Sequence, residues 1–144
     1  MAASPTPAAA LLRRLAAGLY DWLILAGVLM LSSFILVIAR GGEALPPGHS
    51  GYRLFLLAQV GAYFIGFWWR GGQTPGMRTW RIRVEGADGS RLTLARSALR
   101  FGAAVLSVAA LGVGFWWMLA DAQARSWHDR LSGTRMTPAA AGRG

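Results

Sequence analysis

The chain has 144 residues, enough for one domain, and is 54% hydrophobic with a mean hydropathy of +0.38, which excludes an ordinary water-soluble domain. It has no cysteine, so disulfides, thiolate metal sites and cysteine chemistry are excluded. Arginine supplies all 15 basic residues against 6 acidic ones, a net charge of +9. In a soluble protein that balance points to nucleic acid. Here most arginines flank apolar runs, so anionic lipid headgroups are the expected partner and nucleic acid is not. Abundant Ala, Gly and Arg without Lys is the composition of a GC-rich bacterial genome.

Residues 1–10, rich in Ala and Pro, are expected to be disordered. They lack the charged start of a signal peptide, and the apolar run that follows is too long for a cleavable one, so a retained helix is expected. The first helix is placed at about 11–39. Its apolar run between Arg14 and Arg40 spans roughly 38 Å at about 1.5 Å per residue, more than a hydrocarbon core of about 30 Å, so it should tilt or begin in the interface. GGEALPPGHSG, from Gly41 to Gly51, reads as a loop by its Gly and Pro content. A second helix at about 52–69 ends in Trp68 and Trp69, interface residues, with Arg53 and Arg70 placed to snorkel.

The stretch from Trp80 to Glu85 alternates apolar and charged residues, Ala87-Asp88-Gly89 reads as a turn, and Arg91 to Leu94 alternates again. This predicts a small cytoplasmic β-hairpin at about 79–95, with Trp80, Ile82, Val84, Leu92 and Leu94 facing inward. A third segment, at about 97–120, is interrupted by Gly112-Val113-Gly114, and residues 137–144 read as a disordered tail. The fold class expected is therefore all-α integral membrane: two clear transmembrane helices, a third spanning or re-entrant segment, and the hairpin.

Arginine placement sets orientation. The loop after the second helix carries Arg70, Arg78, Arg81, Arg83, Arg91, Arg96 and Arg100, flanks included, against Arg40 and Arg53 after the first. The N-terminus and hairpin are thus expected in the cytoplasm. Two topologies stay open for the third segment. A single crossing would put the tail outside. A break at Gly112–Gly114 would return it, buried by protein, to the cytoplasmic side. Arg125, Arg130, Arg135 and Arg143 favour the return.

Arg14 precedes Asp21 at the start of the first helix, GGQTPGMRTWRIRVEGADG follows the second, and HDRLSGT comes near the end. Together these resemble the RDD family of small bacterial membrane proteins, whose one arginine and two aspartates correspond to Arg14, Asp21 and Asp129. Gly72, Thr74, Gly76 and Arg78 match its Gly-x-Thr-x-Gly-x-Arg pattern, and Arg100 matches an arginine before the third segment. His128, Gly133 and Thr134 belong to the closing motif. Pro75 and Met77 depart from the usual aliphatic and basic residues. The resemblance covers about 11–136 and implies a multi-pass protein of the bacterial inner membrane, with transport of small ligands or ions as the proposed activity.

An aspartate at the centre of a membrane helix costs about 2.5–3.5 kcal/mol. Arg14 and Asp21 lie two turns apart on one face, about 10.5 Å along the axis at about 1.5 Å per residue, and their side chains lean the same way. Each is therefore expected to pair with a different segment. For Asp21, depth in the membrane nominates Tyr63 and Ser107. Two readings follow: a carboxylate that locks the helices together, or a protonatable site on an ion route.

His128-Asp129 could hint at a metal or a charge relay. With His49 on the other face and no nucleophile motif, a structural role is expected, Asp129 capping a turn or pairing with Arg14, Arg78 or Arg100. Gly71 to Gly76 imitates a phosphate loop but lacks its Lys-Ser/Thr, so a tight membrane-exit turn is expected, with its amides and Arg78 in reach of a lipid phosphate. Ala58, Ala62 and Gly66 form a small-residue stripe suited to close helix approach, with Gln59 beside it. No cofactor and no enzymatic activity are expected. The leading functional expectation is a transporter-like protein moving a small cation or solute through Asp21, as a homo-oligomer. The alternative is a non-catalytic structural or assembly protein that binds anionic lipid or a partner membrane protein.

Overall fold

The computed structural model describes residues 7–110, 116–117, 120 and 125–139. In chain order the elements are α1 (Pro7–Ala39), α2 (Ser50–Gly71), α3 (Pro75–Thr79), β1 (Ile82–Gly86), α4 (Leu94–Ala109), α5 (Trp127–Leu131) and β2 (Thr134–Pro138). Residues 7–10, expected to be loose, are already helical. The remaining expectation for the N-terminus, the break at Gly112–Gly114, and residues 140–144 lie outside the described residues.

Among the described residues, one helix is long and apolar enough to cross a membrane, and it is α1. Leu12, Leu19, Leu23, Met30 and Phe34 are all exposed along it, while Ala17, Asp21 and Leu25 are buried at four-residue spacing. A helix apolar on nearly every side, with only one narrow stripe covered by protein, suits a hydrocarbon environment. That stripe packs on α3, and α2 packs on α4. α1 and α2 touch sparingly; a bond between Ser33 Oγ and Tyr52 Oη (2.8 Å) joins them far from the stripe.

The hairpin is corrected. β1 forms where the alternation was read, with Ile82 and Val84 buried, but its partner is β2, antiparallel, in the register Ile82↔Pro138 to Gly86↔Thr134. The turn at Ala87–Gly89 is present, Gly89 adopting φ +79° and Asp88 Oδ1 accepting from Ser90 N (3.1 Å). The chain then enters a helix rather than a second strand, because Thr93 caps it: its Oγ1 accepts from Arg96 N (3.2 Å). Leu92 is buried as expected, whereas Trp80 and Leu94 are exposed, each outside the sheet. Thr137 and Pro138, assigned to a disordered tail, are sheet residues.

A small apolar core joins Ala17, Trp68, Met77, Ile82, Val84 and Leu92, with Phe64, Phe101 and Met136 against it. It sits where the end of α2, the stripe of α1 and the sheet converge. The segment 125–139 therefore comes back to the end of the molecule that carries β1.

Candidate functional site

Two buried aspartates organise that end, each collecting groups from distant parts of the chain. The first is Asp21, 1% exposed. Its Oδ1 accepts from Tyr63 Oη on α2 (2.9 Å) and from Gly76 N (2.9 Å), and its Oδ2 accepts from Thr74 Oγ1 (2.5 Å). Thr74 is the N-cap of α3, with Pro75 at the first helical position, and its Oγ1 also accepts from Met77 N (3.2 Å). Asp21 thus ties α1 to α2 and to the start of α3. Tyr63 was foreseen. Ser107 was not borne out: Asp21 is bonded elsewhere, and the buried Ser107 Oγ has no partner among the described residues.

Glycine matters here for space. A Cβ on Gly76 would run into the carbonyl oxygen of Ala17 and stand 2.9 Å from Asp21 Cγ. Gly72 ends α2 in the left-handed region at φ +66°, its N–H donating to Trp68 O (2.9 Å) while its carbonyl accepts from Val84 N (2.7 Å). The departures at Pro75 and Met77 fit this geometry, Met77 filling the apolar core.

The second aspartate is Asp129, fully buried in α5. Arg100 Nη1 donates to its Oδ1 and Arg14 Nη1 to its Oδ2 (2.6 Å). Oδ2 also accepts from Ser126 N (3.0 Å) and Ser126 Oγ (2.8 Å), so the acid caps its own helix. Arg100 Nη1 reaches Thr134 Oγ1 as well (2.8 Å), and its guanidinium lies 5.1 Å from the centre of the Trp68 ring. Burial alone would raise the Asp129 pKa, but Arg100 and then Arg14 hold it far below the usual carboxylate range. His128 bonds Ser126 Oγ through Nε2 (2.9 Å); burial first, then the Arg100 charge, push its pKa down to about 3, so the ring is neutral at pH 7.

Arg14, Asp21, Arg100, His128, Asp129, Thr74, Gly76 and Thr134 are therefore gathered into two adjoining networks. Gly133, at φ +60°, turns the chain from α5 into β2, its carbonyl accepting from Ala87 N (2.9 Å). Arg78 is exposed and, among the described residues, forms no ion pair with Asp129. His49 caps α2 through Nδ1, accepting from Tyr52 N (3.3 Å). Ala58 and Ala62 are exposed, and within this chain α2 meets α4 through Gly61 against Phe101. Gln59 bonds back to Phe55 O within its own helix (3.4 Å). Sequence reasoning missed Thr74, Gly76 N–H and Ser126 as partners of the acids. The Ser-x-x-Asp spacing at Ser126–Asp129 was the available signal for the last.

A crevice of about 360 Å³ opens beside both networks. Its wall is mostly apolar, with Phe64, Phe101 and Val105 prominent, and Arg14, Asp21, Arg100 and His128 also line it. The crevice therefore brings charged side chains of both networks to the edge of an apolar surround.

Comparison with curated proteins and with solved structures returns no match. The family model described as RDD family matches residues 8–133. That span contains both aspartates and both arginines of the networks. The chain belongs to the RDD family, whose proteins are membrane-associated.

Proposed function

We propose that this protein is a transporter-like, multi-pass protein of the bacterial inner membrane that moves a small cation or solute, with Asp21 as the intramembrane carboxylate that carries the activity. In this reading α1 and α2 cross the bilayer, and the N-terminus, the sheet and residues 125–139 lie in the cytoplasm. The observation that carries it is the position of Asp21: one carboxylate both lines the crevice and holds α1 to α2 and α3. A proton or cation on that carboxylate competes for the lone pairs that Tyr63, Thr74 and Gly76 occupy. Loading the site therefore loosens the joint between helices, the coupling a carrier requires. Two spanning helices with a third spanning or re-entrant segment do not enclose a pathway, so the working form in this reading is a homo-oligomer.

The test is cation-driven collapse of a proton gradient in inside-out vesicles, read with a pH-sensitive dye. Wild type and Asp21→Asn are compared at matched membrane levels with sodium, potassium and lithium. A cation-dependent signal in the wild type and none in Asp21→Asn is expected. Equal signals in both sink the assignment of Asp21, and none in either removes antiport of those cations.

A second reading has its own support, because Asp21 and Asp129 have donors on both oxygens from within the chain. Such acids serve as staples, and the protein is then a non-catalytic assembly element that binds anionic lipid or a partner membrane protein. Under it, Asp21→Asn lowers abundance and no flux exists to lose.

A further inference from the structure

The end of α2 and the sheet enclose a second, more polar hollow of about 130 Å³ that neither aspartate network uses. Its walls bring together Arg70 from the last turn of α2, Arg83 from β1 and Arg91 from the loop before α4. They line one hollow because the Gly72 carbonyl accepts from Val84 N (2.7 Å), fixing β1 against the helix end. Among the described residues, none of these three guanidiniums makes a hydrogen bond or an ion pair. The carboxylate in the wall, Glu85, is already neutralised: its Oε1 accepts from Arg135 Nε (2.9 Å) and Nη2 (2.8 Å). Nearby Asp88 is held by Ser90 and faces Arg96 at 3.7 Å. The hollow is thus a concave site with three unpaired cations and no free anion.

We propose that this cleft binds a phosphate group, presented by an anionic phospholipid headgroup or as a free phosphate. Three arginines around one hollow supply planar guanidinium donors of the kind that match the oxygens of a phosphate. Trp68 and Trp69 form the apolar side of the cleft, where a lipid's glycerol and chain ends would continue toward hydrocarbon. The lipid source rests on the reading above that α2 crosses the bilayer with the sheet at its cytoplasmic end; the phosphate chemistry does not. Arg78, the arginine that sequence alone put forward for this role, is not part of the cleft wall.

The full chain is purified in a neutral detergent and given, in separate arms, phosphatidylglycerol, phosphatidylethanolamine and inorganic phosphate. Retained lipid is counted by native mass spectrometry, and inorganic phosphate is followed by ³¹P line broadening. Wild type should retain phosphatidylglycerol over phosphatidylethanolamine. In Arg83→Gln/Arg91→Gln, retention should fall about 25-fold, at about fivefold per cation removed from the cleft. Arg13→Gln/Arg40→Gln carries the same change in charge on exposed residues outside the cleft and should behave as wild type. Phosphate broadening without lipid retention, again lost in the cleft variant, upholds the site while removing the placement at the membrane surface. Equal losses in the cleft and control variants, or binding unchanged in the cleft variant, overturn the proposal. Thermal melting of each variant separates lost binding from lost folding.

Discussion

Replacing Asp129 by Asn isolates what the buried charges contribute. The acid lies between two guanidiniums whose side chains are 6% (Arg14) and 1% (Arg100) exposed. Taking away its charge leaves both cations in place, and one carboxylate oxygen becomes an NH₂ aimed at an N–H donor. Removing one partner of a buried pair costs about 3–5 kcal/mol. Arg100 keeps Thr134 Oγ1 and the Trp68 face, and Arg14 keeps a longer bond to Ser126 Oγ (3.3 Å), so the lower half of that range applies. At about 3 °C per kcal/mol for a chain of this size, melting should drop by about 10 °C. The assay is thermal unfolding in detergent micelles, followed by near-UV circular dichroism. Arg14→Gln/Asp129→Asn should melt higher than the two single losses added together, because one stranded cation is gone. Asp129→Asn melting within about 3 °C of wild type would refute the reasoning, since the pairing would then be worth under about 1 kcal/mol.

Folding stability should depend on pH through His128. Its folded pKa lies at about 3, below the ordinary 6.5, so the unfolded chain binds its proton first. The contribution is complete above about pH 6.5 and is lost as pH falls toward 3, at about 1.4 kcal/mol per pH unit, or about 2 kcal/mol between pH 6.5 and 5; melts of wild type and His128→Gln should diverge in slope over that window. The Asp129 pKa lies lower still, so its pairing is intact throughout. Gly76→Ala should cost about 1–3 kcal/mol by forcing α1 and α3 apart at the Ala17 carbonyl, read as a lower melting temperature. Tyr63→Phe removes one donor to Asp21 and should cost about 1.5–3 kcal/mol, while Thr74 and Gly76 still hold the carboxylate.

The elements whose causes are local were legible before the structure. α1 announced itself by its unbroken apolar length, β1 by its alternation, and Asp129 by the arginines available to pair with it. What failed was the partner of the strand. Alternation at Ile82 and Val84 reveals a strand but carries no information about its partner, and the nearest candidate, Arg91 to Leu94, loses to the cap that Thr93 supplies. The partners of Asp21 were half legible. A tyrosine at matching depth can be guessed, but Gly76 N–H enters only because the exit turn folds back under α1. The Arg70, Arg83 and Arg91 cleft depends on the same turn, so the charge count alone could not separate it from a diffuse basic surface.

The sheet pairs residues 82–86 with residues 134–138, and Arg14 meets an acid 115 positions later. Consider the order in which a ribosome delivers these parts. α1 is made first, α2 follows, and both guanidiniums of the later cluster are made before their counter-ion exists. Until residues 126–138 emerge, β1 lacks its partner strand and the two cations lack their acid. Closure of this domain therefore waits on residues 126–138, and a nascent chain stalled before α5 would expose the edge of β1 and the two charges to a protease or a second chain.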